Sequence, residues 1–84
     1  MILSPKEVKV ISLVALGYSD KEIASKMKIS YGTVRTYVDR VVLKLKAKNR
    51  THAAIIYIMN NKKMLKEIYE KYSNSLDCGK ALPF

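Results

Sequence analysis

Apolar residues recur at spacings of three and four in successive stretches of this chain, each bracketed by residues that start or stop a helix. The first stretch carries Val10, Ile11, Leu13, Val14 and Ala15. Ser4-Pro5-Lys6-Glu7 precedes it. Ser4 suits the N-cap, Pro5 the first helical position, and Glu7 can close a capping box back onto Ser4. Leu3 and Val8 have the spacing of a hydrophobic staple. Gly17 ends the helix, since a left-handed residue after the last turn costs glycine little, and Tyr18 can fold back over that turn. A second capping box, Ser19-Asp20-Lys21-Glu22, opens a shorter stretch that buries Ile23, Ala24 and Met27. Ala24 is small enough for two helices to cross closely there. Ile29 fills the turn and Ser30 caps the third helix. In that helix Val34, Val38, Val41, Val42 and Leu45 form one stripe, while Arg35, Thr36, Asp39 and Arg40 form the opposite one.

Lys46-Ala47-Lys48-Asn49 is a polar break, after which Asn49 or Thr51 can cap a fourth helix. His52 to Met59 is apolar almost throughout, which predicts a helix buried on more than one side. Lys62 to Tyr72 reads as a further helix with Met64, Leu65, Ile68 and Tyr72 on one side, and with Lys63/Glu67 and Lys66/Glu70 one turn apart. Ser73 to Phe84 contains Ser, Asn, Asp, Gly and Pro and is expected to be a flexible tail. The expected fold class is all-α. Its expected divisions are a domain over residues 1–61, a helical extension over 62–72 and a tail over 73–84.

Composition gives this pattern a partner. The 84 residues suffice for one small domain with a modest core, and leave little room for an enzyme cleft in a second layer. The formal net charge of +9 is concentrated between Lys21 and Arg50, where Glu22 and Asp39 alone oppose the lysines and arginines. That segment is also the one with two short helices joined by a tight turn, the helix-turn-helix arrangement, so a polyanion is the expected partner. No apolar run of about 18 residues exists to span a membrane, and the N-terminus has no signal-peptide pattern. The lone Cys78 has no Cys or His cluster around it, and the only histidine, His52, has no carboxylate or nucleophile at a motif spacing. A cytoplasmic, non-enzymatic protein without metal or cofactor is the expectation.

Five short strings sharpen it. Leu-Ser-Pro-Lys-Glu at 3–7, Gly-Tyr-Ser-Asp-Lys-Glu-Ile-Ala at 17–24 and the Ile29, Ser30, Thr33, Val34, Arg35 pattern are followed by Lys44-Leu45 and by Asn49-Arg50-Thr51 with Ala53. Together they resemble the LuxR/GerE-type helix-turn-helix DNA-binding domain, over about residues 3 to 60. The resemblance implies a four-helix domain, here with a C-terminal helical extension, in a bacterial transcription factor. It implies that the third helix reads the major groove and that the fourth pairs two copies over a roughly palindromic site. Because the chain begins just before its first helix, it looks like the stand-alone members of the family, among them a spore regulator. Control by abundance or by a partner regulator would follow.

Carried over by the resemblance, base contacts fall on Arg35, Thr36 and Asp39: an arginine can fork onto guanine and a threonine methyl can touch thymine. DNA backbone contacts fall on Lys21, Ser30, Thr33, Tyr37, Arg40, Lys44 and Arg50. A domain this small needs one face of the fourth helix for its core, leaving Ile55, Tyr57, Ile58 and Met59 for a dimer seam. Some positions depart from the family pattern. Lys9 replaces the usual Glu, so an ion pair of the family is in doubt; Tyr37 replaces His, and Lys46 stands at a turn usually made by Gly. Asp39 is acidic where basic or polar residues are frequent; it can accept from cytosine, or pair with Arg35 one turn earlier, which is the favoured reading. Leu16 and Leu43 are apolar at usually polar positions. Two other readings compete: a protein-interaction module that docks on or antagonises another regulator, and, more weakly, a fragment resembling a sigma factor's DNA-binding region. The basic segment favours double-stranded DNA.

Overall fold

The structure is a computed structural model, and it describes residues 3–73. Those residues form five helices and no strand: α1 (Pro5–Ala15), α2 (Asp20–Met27), α3 (Tyr31–Lys44), α4 (Arg50–Met59) and α5 (Lys62–Ser73). The expected start signals are all in use. Ser4 and Ser19 each make a complete capping box, with Glu7 and Glu22 respectively. Ser30 caps α3, and Asn49 rather than Thr51 caps α4. The Asn61 side chain accepts from the Met64 amide at 3.1 Å and so starts α5. Each such cap satisfies amides the helix cannot, and is worth about 1 kcal/mol.

α1 is the centre of the fold. Val10 and Leu13 join Ile23, Val34 and Val38 in one buried cluster that locks α2 and α3 together. Ile11, the next residue along, joins Val41, Ala53 and Ala54 in a second cluster that holds α3 to α4. Val10, Ile11, Ile23, Val34, Val41 and Ala53 are fully buried. Fully burying each of the valines and isoleucines contributes about 1.5–3 kcal/mol before chain entropy is subtracted. The two tight turns are closed by left-handed lysines, Lys28 at φ 57° and Lys46 at φ 54°. At Lys46 the turn is made without the usual glycine, at a backbone cost of about 1–2 kcal/mol that the clusters on either side offset.

As expected, α4 is covered on more than one side, by α1, α3 and α5; Ala53 and Ala54 face the core, and one flank stays open at Ile55, 51% exposed, and Met59, 75%. One expectation is corrected. On α5 two members of the expected four-residue stripe stand exposed, Leu65 at 52% and Tyr72 at 40%, while Met64 is buried. The helix nevertheless lies against the rest of the chain. α5 packs on α4, the Tyr72 hydroxyl donates to the Leu16 carbonyl, and the Lys71 ammonium lies 5.2 Å from the centre of the Tyr18 ring. Gly17, at φ +95°, leaves the space that the Tyr72 hydroxyl takes; a Cβ there would lie 2.5 Å from that oxygen. The helix continues to Ser73, and the remainder of the expected tail, with Cys78, lies outside the described residues. No helix among the described residues is long and apolar enough to cross a membrane.

Candidate nucleic-acid interface

With Val34, Val38 and Val41 turned into the core, the period of α3 forces Arg35, Thr36, Asp39 and Arg40 outward, and all four are exposed. The start of α3 is tied down by its cap. Ser30 Oγ accepts from the Thr33 amide at 3.1 Å, and the Ser30 and Thr33 hydroxyls share a hydrogen bond at 2.7 Å. Thr36 Oγ1 donates to the Gly32 carbonyl at 3.0 Å, so its donor is used within the helix. It can still offer a ligand an acceptor and a methyl group.

Arg35 does not pair with Asp39. Instead its Nη1 reaches back to the first turn of α3, donating to the Tyr31 hydroxyl at 3.5 Å, and lies 4.0 Å from Asp20 Oδ2 on α2. Helix packing explains the difference: Asp20 projects from α2 beside this turn with its side chain only 8% exposed, whereas Asp39 is exposed. The Tyr31 hydroxyl, then Asp20 and Asp39, hold the Arg35 guanidinium still further toward its charged form. Asp20 has a second cation, with Arg50 Nη1 2.7 Å from Oδ1. That approach is a charge contact rather than an aligned hydrogen bond, since Oδ1 accepts none.

The expected backbone-contact residues divide by what already holds them. Lys21 and Arg40 are exposed, Arg40 lying 5.8 Å from the centre of the Tyr37 ring, a cation–π distance. Tyr37 is half-buried against the first core cluster. Lys44 Nζ donates to Glu7 Oε1 at 2.7 Å, and Arg50 is held at Asp20. Lys9 itself is exposed, and the ion pair beneath α1 joins Lys44 to the buried Glu7 carboxylate. Of the four seam candidates, Ile55 and Met59 are exposed and Ile58 is half-buried. Tyr57 packs on the second core cluster, with its hydroxyl accepting from Asn61 Nδ2 at 3.1 Å. Two residues of the site went unread in the sequence. Tyr31 stands one turn before Arg35, a spacing that was open to reading; Asp20 was taken as part of a cap, because its cations lie on other helices. Among the described residues no His, Cys, Asp and Glu side chains gather to hold a metal.

The comparisons place this architecture. Residues 1–57 match the family described as "GerE: Bacterial regulatory proteins, luxR family". An uncharacterized transcriptional regulatory protein of Bacillus subtilis, YvfU, is 44% identical over 54 residues, which are 64% of this chain and 27% of that protein. The response regulator protein VraR of Staphylococcus aureus is 38% identical over 60 residues, 71% of this chain and 29% of its own. The chain thus spans less than a third of the length of these relatives. With residues 1–57 matched to the family and a helix-turn-helix formed by α2 and α3, the chain belongs to the luxR family of bacterial regulatory proteins, a family of DNA-binding transcription regulators.

Proposed function

We propose that this chain binds double-stranded DNA sequence-selectively as a homodimer and regulates transcription in the cytoplasm, with α3 in the major groove of each half of a roughly palindromic site. The observation that carries the reading is the outward stripe of α3. Arg35 and Thr36 stand exposed in the first turns, where base edges are reached, on a helix whose opposite side is fixed in the core. Asp39, one turn further, adds an acceptor for cytosine. Lys21, Ser30, Thr33 and Arg40, with Tyr37, Lys44 and Arg50 at the rim, supply charge and donors for the flanking phosphates. The exposed Ile55 and Met59 of α4 offer the apolar flank for pairing two copies.

Selection of bound sequences from random duplex DNA by the pure chain tests this directly. The expected product is a pair of related half-sites about one helical turn apart. Recovery of random sequence would favour the competing protein-docking reading.

A further inference from the structure

We infer that Asp20 is a positioning residue for DNA reading: its buried carboxylate, shared between two arginines, presets the Arg35 guanidinium beside Tyr31 before DNA arrives. The inference rests on the proposed reading of DNA by α3 and concerns how its reading arginine is held.

Three observations carry it. Asp20 is a carboxylate with 8% of its side chain exposed, a placement that demands cationic neighbours, and it has them from two other parts of the chain: Arg50 at 2.7 Å and Arg35 at 4.0 Å. The two contacts are unequal. Arg50, 35% exposed, stays close to Oδ1, while Arg35, 57% exposed, is held at longer range by Oδ2 and by a 3.5 Å bond to the Tyr31 hydroxyl. When Arg35 turns toward a base, Asp20 therefore keeps Arg50 and is not left as a buried unpaired charge. Release of Arg35 is cheap, yet before DNA arrives its guanidinium already rests beside the Tyr31 hydroxyl and Asp20. A guanidinium ordered in advance loses less freedom when it forks onto a guanine. The same carboxylate also opposes phosphate, so it weakens indiscriminate binding and sharpens the difference between right and wrong sites.

The test is a double-mutant cycle on the selected site and on single-base variants of it. D20N is expected to raise affinity for random DNA and to lower discrimination about threefold to tenfold at the base pair read by Arg35, with other positions unchanged. In an R35A background, D20N is expected to leave discrimination at that base pair untouched. D20E, which restores the charge, is expected to recover part of it. If D20N alone is too unstable to fold, D20E and Y31F, which loosen either side of the clamp, are compared at the same base pair, and both are expected to lower its discrimination. Unchanged discrimination in folded D20N, or in the D20E and Y31F pair, overturns the inference while the DNA reading stands. Equal loss with and without Arg35 also overturns it, making Asp20 structural only. A parent chain with no sequence preference overturns both.

Discussion

Lys44 donates to Glu7 at 2.7 Å, joining the end of α3 to the first turn of α1, and only the Glu7 half of this pair is buried. The Glu7 carboxylate also accepts from the Ser4 amide at 2.8 Å, so one side chain closes the α1 cap and anchors the end of α3. Its pKa is lowered below the ordinary value of 4.5 by the hydrogen bond from Lys44 first and the Ser4 amide next, with burial opposing. A carboxylate that is more acidic when folded stabilises the fold above its unfolded pKa, and this contribution is lost as pH falls through the lowered folded one. Chemical denaturation between pH 6 and pH 3 is expected to show stability declining below about 4.5. E7Q is expected to cost about 1–3 kcal/mol at neutral pH and to flatten that part of the acid profile. An unchanged profile in E7Q would assign the acid response to other carboxylates.

Arg35→Ala is expected to cost about 1–3 kcal/mol on the preferred site and to relax selection at one base pair per half-site. An equal loss on random duplexes, measured in the same titration, would make Arg35 a phosphate contact instead.

Binding is expected to weaken steeply with salt. If each protomer neutralises about four phosphates, a dimer gives a log–log slope near −7, from about −0.9 per phosphate. K21A or R40A should each make that slope shallower by about 1–2 units in a dimer. A parent slope shallower than about −2 is the result that would support docking on protein rather than DNA.

The exposures on α4 redirect the search for a dimer seam from Tyr57, which serves the core, to Ile55 and Met59. I55E or M59E is expected to weaken self-association without unfolding the monomer, as read by sedimentation alongside circular dichroism. A parent chain that stays monomeric at high concentration, with and without DNA, refutes the pairing.

Removal of the chain after Asn61 is expected to lower stability by about 1–3 kcal/mol, since Met64 loses its buried site and Tyr72 its bond to Leu16. Base preference should be unchanged, because Arg35 and Thr36 precede the cut. G17A is expected to destabilise the full chain more than the shortened one, by its left-handed backbone in both and by collision with Tyr72 only where α5 is present. Equal penalties in thermal melts of the two chains would show that α5 does not rest on Gly17.

The helices were legible because their signals are local. Ser4, Ser19, Ser30 and Asn49 act on residues three further along, and the valine stripe of α3 needs only a period to be seen. The outward stripe followed from the inward one. What stayed hidden was the choice among charged partners. Asp39 and Asp20 both carry the charge that Arg35 can use, and the sequence-near one loses because helix packing places Asp20 beside the α3 start and shields it from water. Lys44 is similar: its sequence position marks it as basic, but only the crossing of α1 over α3 shows that Glu7 holds it. Leu65 was misassigned because periodicity defines a face without saying how wide a neighbour covers it.

Val10 and Ile11, adjacent on α1, each belong to a different core cluster, and Val14 and Val42 pack against both, so the half of the core beneath α2 is continuous with the half beneath α4. Melting of either half is expected to loosen α1 for the other. Hydrogen exchange would then report a single cooperative unit, with the most protected amides of α1, α3 and α4 opening together. In such a unit a cavity cut at Ile11, on the side away from α2, would loosen the grip on α3 as surely as one cut beneath it.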